Sequence, residues 1–226
     1  MELADLLKEG LGIENQDAWE NERTPTSVRC FGVRLHSMGL SLREVEAVLQ
    51  WLDVDRCHQA VWNWKERLAE QQSDPPTASP SRVAVDEKQI EVDGETKWLY
   101  AAIDTDSKLL LEVDVYSRRG TDPAAAFLHR LTEKHDVADT EFLVDAAGYL
   151  TALARHELSG HLDYHIRNHI EKWFQTVTMR IDRFHSVWRG SQASARRWLR
   201  RFRHYYNRHR PNQALDGRTP AEEVQN

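Results

Sequence analysis

Three carboxylates stand where their spacing could build a metal-dependent site. Asp86 follows the apolar run "RVAV", Asp145 follows "EFLV", and Glu171 lies early in "YHIRNHIEKWFQTVTMRIDRFH", residues 164–185. Acids placed where an apolar strand stops fall at the rim of an open α/β sheet, where ligands bind. If the fourth strand lies beside the first, Asp86 and Asp145 converge. Three carboxylates at one rim repel one another unless a cation sits among them. Oxygen-only ligands suit a hard cation such as Mg²⁺ or Mn²⁺. Each acid also has a plainer reading. A strand-end aspartate can simply lead into a turn, and Glu171 stands three positions after Asn168, the spacing of a capping box. Asp104, Asp106 and Asp114 read as turn or exposed-strand residues without chemistry.

The elements that must position these acids can be read from periodicity. "RVAVDEKQIEV" alternates, Asp93–Gly94 turns, "ETKWLYAAID" returns, and "KLLLEVDVYS" follows a second turn at "DTDS", which makes a three-stranded meander. Thr121 or Asp122 is expected to cap a helix with Pro123 in its first turn. "TEFLVD" is a short, nearly all-apolar strand of the kind buried in a sheet. "GYLTALARHEL" reads as a short helix and "HLDYHI" as a strand. The long helix then carries Ile170, Trp173, Phe174, Val177, Ile181, Phe184 and Trp188 on one face. Glu171 sits about 100° round from Ile170, at the edge of that stripe. The order βββ-α-β-α-β-α implies a mixed five-stranded sheet with flanking helices, an α/β fold.

Before the sheet, residues 26–70 read as helical. Ser41 and Glu44 in "SLRE" form a capping box. Asp55 is expected to cap the next helix, "RCHQAVWNWKERLAE". Two helices around a short break, with Arg56, His58, Gln59, Asn63 and Lys65 on the second and Arg43 on the first, match a helix-turn-helix DNA reader. An ordinary helical hairpin has the same pattern. "QQSDPPTASPS", residues 71–81, reads as a linker.

The chain has 226 residues, 40% of them hydrophobic, enough for one ordinary domain and a small one. No run approaches the roughly 18 apolar residues of a membrane span. "MELADLLKEG" lacks a signal-peptide layout, so a cytoplasmic, nucleoid-associated protein without a membrane partner is expected. Cys30 and Cys57 read as free thiols in a reducing compartment. The net charge of −6 speaks against a polyanionic partner, but its distribution does not. From Arg167 to Arg218 there are thirteen Lys and Arg against three acids. Such a basic third suggests phosphate contacts, with Lys172, Arg180 and Arg183 on the long helix as candidates. Trp198, Tyr205 and Tyr206 among these arginines read as core.

On the stretches "VAVDE", "KWLYAAIDTDSKLLL", "FLVDAAGYL", "RNHIEKWFQT", "RIDRFH" and "YYNRHRPNQALDGRTPAEEV", the sequence resembles the DDE transposases of insertion-sequence family six, archaeal members in particular. The resemblance spans residues 26–226. It implies a ribonuclease-H-like catalytic core, an acidic triad of Asp86, Asp145 and Glu171, and an N-terminal helix-turn-helix. It implies two Mg²⁺ (or Mn²⁺) ions, roughly 3.5–4 Å apart, with Asp86 the bridging ligand. Strand cleavage at the element's ends and strand transfer into target DNA would both be in-line displacements at phosphorus. Two departures stand out. Glu171 comes 26 positions after Asp145, closer than in bacterial members, and Thr178 occupies the place where many such enzymes carry Lys or Arg. Lys172 and Arg180 are the alternative bases.

The chain is thus expected to comprise an N-terminal segment (1–25), a helix-turn-helix DNA-binding domain (26–70), a linker (71–81), a ribonuclease-H-like core (82–190), and a basic C-terminal helix and tail packed on that core (191–226). Its expected partners are double-stranded DNA, both terminal inverted repeats and target, and further copies of itself, at least a homodimer, in the synaptic complex. A catalytically inactive DNA-binding protein or repressor derived from a transposable element is the alternative. It predicts binding without cleavage.

Overall fold

The computed structural model describes residues 23–70, 75–163, 167–184 and 190–225, with side chains placed for 23–67, 75–163, 170–178 and 190–225. Arg180 and Arg183, the Asn168 side chain, the apolar residues Ile181, Phe184 and Trp188, and residues 1–22 of the N-terminal segment lie outside the residues so described. The chain divides into two compact units, Met1–Ser73 and Asp74–Asn226. No described helix is long and apolar enough to cross a membrane.

Among its described residues the first unit holds three helices: α1 (Thr26–Met38), α2 (Leu42–Trp51) and α3 (His58–Glu70). They close around Val33, Val45, Leu49, Val61 and Trp64. The capping box at the start of α2 is present: Ser41 Oγ accepts the Glu44 N–H, and Glu44 accepts the Ser41 N–H. The Asp55 cap is not. α3 begins at His58, and the Cys57 carbonyl takes its first amides, those of Ala60 and Val61. The α2–α3 turn reverses at Asp53, with φ 56.

The second unit is built on a sheet of β1 (Arg82–Val92), β2 (Glu95–Asp104), β3 (Leu110–Tyr116), β4 (Glu141–Val144) and β5 (Ser159–Leu162). Their order is β3-β2-β1-β4-β5. The first three strands form the antiparallel meander, while β4 lies parallel to β1 and β5 parallel to β4. Asp93 and Gly94, with φ 54 and 79, make the tight β1–β2 turn, whose two left-handed positions match the strands' twist. The strand expected over "HLDYHI" is displaced towards the N-terminus, to Ser159–Leu162. At Gly160 a side chain is excluded: a Cβ would stand 2.6 Å from Leu153 Cδ1 and 2.7 Å from the Phe142 carbonyl oxygen.

Helices α4 (Thr121–Thr132) and α5 (Ala147–Ala154) cover one face of the sheet, where Val83, Val85, Tyr100 and Ala102 meet Phe127, Leu128, Tyr149 and Leu153. Helix α4 starts after Gly120, whose φ of 125 suits glycine, and neither Thr121 nor Asp122 caps it. The opposite face carries Ala84, Leu99, Ala101 and Ile103 under α6 (Arg167–Phe184) and α7 (Gln192–Arg208). The expected stripe is buried there at Ile170, Trp173, Phe174 and Val177, as are Leu199, Phe202 and Tyr206. A short 3-10 turn (Gln213–Leu215) and α8 (Pro220–Gln225) end the described chain.

The edge strand β3 departs from the sequence reading. Asp114 is not exposed; it and Glu112 are buried. Asp114 pairs with Arg130 and Arg196, and Glu112 with Lys134 and Arg203. Helix α7 also satisfies the strand's outer backbone. Asn207 accepts the Leu110 N–H and donates to the Leu110 carbonyl, both at 2.9 Å, and Gln192 and Arg196 donate to the Val115 carbonyl. An uncovered edge would offer those groups to another chain. Asp104 is buried as well, accepting the Asp106 N–H at 3.0 Å and so closing the β2–β3 turn.

Candidate active site

Asp86 does not end β1. The strand runs on to Val92, and Asp86 lies within it, opposite Ala101 of β2. What ends near Asp86 is its other neighbour. The β1–β4 ladder pairs Arg82 with Glu141, Val83 with Phe142 and Ala84 with Leu143. Asp86 and Asp145 each lie two residues beyond the last pair, so they are level. Both are half-buried.

A third carboxylate joins them that periodicity does not single out. Ligand oxygens of Asp86, Glu87 and Asp145 lie within 4.8 Å of one another. Successive strand residues face opposite sides. Asp86 therefore shares the face of Ala84, beneath α6, and Glu87 the face of Val83 and Val85, beneath α4 and α5. There the buried Tyr149 hydroxyl donates to the Glu87 carboxylate. The Glu87 N–H in turn donates to Asp86 Oδ1 at 2.7 Å. The sequence signal for Glu87 was its adjacency to Asp86 in "VAVDE"; its partner, 62 positions away, left none.

The electrostatics follow from this crowding. Burial pushes the Glu87 carboxyl above its ordinary range and Asp145 adds repulsion, against the pull of the Tyr149 hydrogen bond and Arg119. Burial, then the Glu87 charge, raises the Tyr149 phenol far above its usual value. Burial also lifts Tyr100 to about 12. Oxygen donors this close, on partly buried carboxylates, fit a hard divalent cation, which would offset their mutual repulsion.

Glu171 is exposed and is not one of the three acids that close within 4.8 Å. It projects from α6 next to Ile170, which packs on the sheet face that Ala84 and Asp86 share. The capping-box reading does not survive. Helix α6 begins at Arg167, so Asn168 lies inside it and Glu171 beyond its first turn.

The candidate DNA contacts divide. Gln59 and Asn63 are exposed on α3, with Trp62 between them 41% exposed, and Arg43 is exposed on α2. Three others are engaged within the unit. Arg56 donates to Thr24 Oγ1 and the Asp55 carbonyl, both at 2.6 Å, His58 meets Glu46 at 3.0 Å, and Lys65 stands 3.7 Å from Glu66. Lys172 is exposed beside Glu171.

Residues 80–179 match a family model described as a DDE domain. Over that stretch the resemblance read from the sequence holds. An uncharacterized protein of Methanocaldococcus jannaschii is 23% identical over 199 residues, which cover 86% of this chain and 92% of that protein. A chain of the simian T-cell lymphotropic virus intasome, solved with PP2A regulatory subunit B56 gamma, aligns over 86% of this chain and 74% of its own, at 10% identity and a TM-score of 0.50. The catalytic core domain of HTLV-2 integrase, in complex with magnesium, aligns over 65% of this chain and 97% of its own, at 10% identity and a TM-score of 0.46. At 10% identity the likeness to the intasome chain is one of fold alone, a five-stranded mixed sheet with flanking helices of the ribonuclease-H-like kind.

Proposed function

We propose that this chain, whose residues 80–179 form a DDE domain, is the transposase of an insertion sequence, binding the element's terminal inverted repeats and catalysing strand cleavage and strand transfer. The observation that carries this reading is the level placement of Asp86 and Asp145 beyond the β1–β4 ladder, inside a DDE-domain match. On that placement the domain is a polynucleotidyl transferase whose acids hold divalent cations.

Asp86 and Asp145 hold the ions, joined by Glu171 from α6 as the third acid. Two Mg²⁺ or Mn²⁺ ions, when bound, supply the Lewis acidity that activates an attacking oxygen and stabilises a leaving one. Asp86 is oriented for ligation by the Glu87 N–H. Lys172, exposed next to Glu171, holds a DNA phosphate by charge; Arg180 and Arg183 extend the same helix. Contacts of this kind place the duplex without reading it. Sequence reading falls to the first unit as a helix-turn-helix domain. Gln59 and Asn63 on α3 can meet base edges in the major groove, and Arg43 the backbone. Arg56, His58 and Lys65 already meet partners within the unit, so any DNA contact of theirs competes with or adds to those bonds. Residues 71–81 link this domain to the core (82–190), and 191–226 form the basic helix and tail. Joining two element ends calls for at least a homodimer, acting at the nucleoid.

The test is cleavage and transfer on a labelled duplex built from the ends of the element that carries the gene, with Mg²⁺ or Mn²⁺. Metal-dependent nicking followed by joining is expected. Duplex binding without nicking would identify an inactive, repressor-like derivative instead.

A further inference from the structure

The β1–β4 ladder ends at Ala84–Leu143, before either aspartate is reached. Past that point β4 keeps its bonds to β5, and β1 its bonds to β2. The separation of Asp86 and Asp145 is therefore not set by a backbone pairing between their own strands. A side-chain bond crosses the gap. Tyr149, four positions after Asp145 in the first turn of α5, donates from its buried hydroxyl to Glu87. Glu87 is the residue after Asp86 and holds the Asp86 carboxylate through its own N–H. The phenol's position is fixed from behind, where its ring packs edge-on against Tyr100 at 6.2 Å, and Tyr100 Oη accepts the Gly120 N–H at 3.2 Å.

We propose that Tyr149 and Glu87 are a positioning pair: the phenol–carboxylate bond ties the segment bearing Asp145 to the strand bearing Asp86 and so sets the spacing at which the two aspartates share a metal ion. The inference rests on the metal-site reading given above. In this arrangement Glu87 acts through Asp86: one oxygen of its carboxylate is held by Tyr149 on the α5 face, and its N–H holds Asp86. Removing such an outer partner costs about 10- to 100-fold in metal affinity.

The experiment is calorimetric Mn²⁺ titration of the full chain, with circular dichroism to verify folding. Tyr149→Phe, which deletes one oxygen and keeps the ring, is expected to weaken Mn²⁺ binding about 10-fold. In a Glu87→Ala background the same change is expected to cost nothing further, because the tie is already gone; such non-additivity is the mark of two groups acting as one. In a Glu87→Gln background, where an acceptor oxygen remains, the loss on Tyr149→Phe should persist. That arm also serves if Glu87→Ala does not fold. Wild-type affinity in Tyr149→Phe, or an undiminished loss in Glu87→Ala, overturns the positioning pair while leaving the metal site standing. A wild-type chain that binds no Mn²⁺, or binds it equally well as Asp145→Asn, overturns the metal site and the pair together.

Discussion

Asp86 and Asp145 sit level with each other, each two residues past the last pair of the parallel β1–β4 ladder, Ala84 with Leu143. Their oxygens, with one of Glu87, lie within 4.8 Å. Carboxylates this close cost stability when no cation offsets them.

Asp86→Asn and Asp145→Asn are therefore expected to act oppositely on activity and stability. Metal-dependent cleavage should fall by at least ~100-fold, about 3 kcal/mol of lost transition-state stabilisation. In EDTA the thermal midpoint of either variant should match or exceed that of the wild type, because one repulsion between half-buried carboxylates is gone. A fall in midpoint in EDTA would mean that the aspartates are structural.

Glu171 projects from α6 beyond its first turn and is exposed. Glu171→Gln should abolish cleavage and transfer while leaving the thermal midpoint and duplex binding unchanged. Nicking at the wild-type rate would remove Glu171 from the site.

Glu112 and Arg203 meet at 3.2 Å with side chains 1% and 4% exposed. Breaking a buried pair strands a charge. Arg203→Met should destabilise the chain by about 3 kcal/mol, the low end for such a loss, since Lys134 still meets Glu112. That corresponds to a midpoint lowered by roughly 6–12 °C. Glu112→Leu combined with Arg203→Met should recover part of the loss, and denaturation of the four-member cycle measures it.

His135 is buried, and its two ring nitrogens are matched to a neutral tautomer. Nδ1 accepts the Ala78 N–H and Nε2–H donates to the Leu111 carbonyl, each at 3.3 Å. Burial holds its pKa below the ordinary 6.5; the Leu111 carbonyl and Glu112 pull it up, and Arg203 and Lys134 push it down. The unfolded chain then takes up the proton first. Stability from this group is complete above about pH 6.5 and declines as pH falls through that value towards the folded pKa. His135→Gln can accept and donate in the same two directions without titrating. Its midpoint should fall less than the wild type's between pH 7.5 and 5.5. Parallel curves would assign the pH dependence to other groups.

Much of this architecture was legible in the chain because its causes are local. The alternation and the Asp93–Gly94 turn make the meander, Ser41 and Glu44 cap α2, and the stripe from Ile170 to Val177 selects the buried face of α6. Each depends on residues within a turn or two of one another. The positions of Asp86 and Asp145 after apolar runs were visible for the same reason.

Other features depend on segments that meet only in the fold. Aspartates 59 positions apart become neighbours because β4 enters the sheet parallel to β1. Glu87, which alternation turns to the other face, enters the cluster's periphery because Tyr149 waits there on α5. Asn168 could not be told from a cap until the start of α6 was placed. The arginines of the C-terminal third look alike in sequence, yet Arg203 is buried against Glu112 and Arg196 bonds the buried Asp114, while Arg197 and Arg200 face solvent. A charge carries no local mark of whether it will face water or an opposite charge. Periodicity and turn chemistry act over a few residues, whereas ladder partners and buried ion pairs are chosen by packing between distant ones.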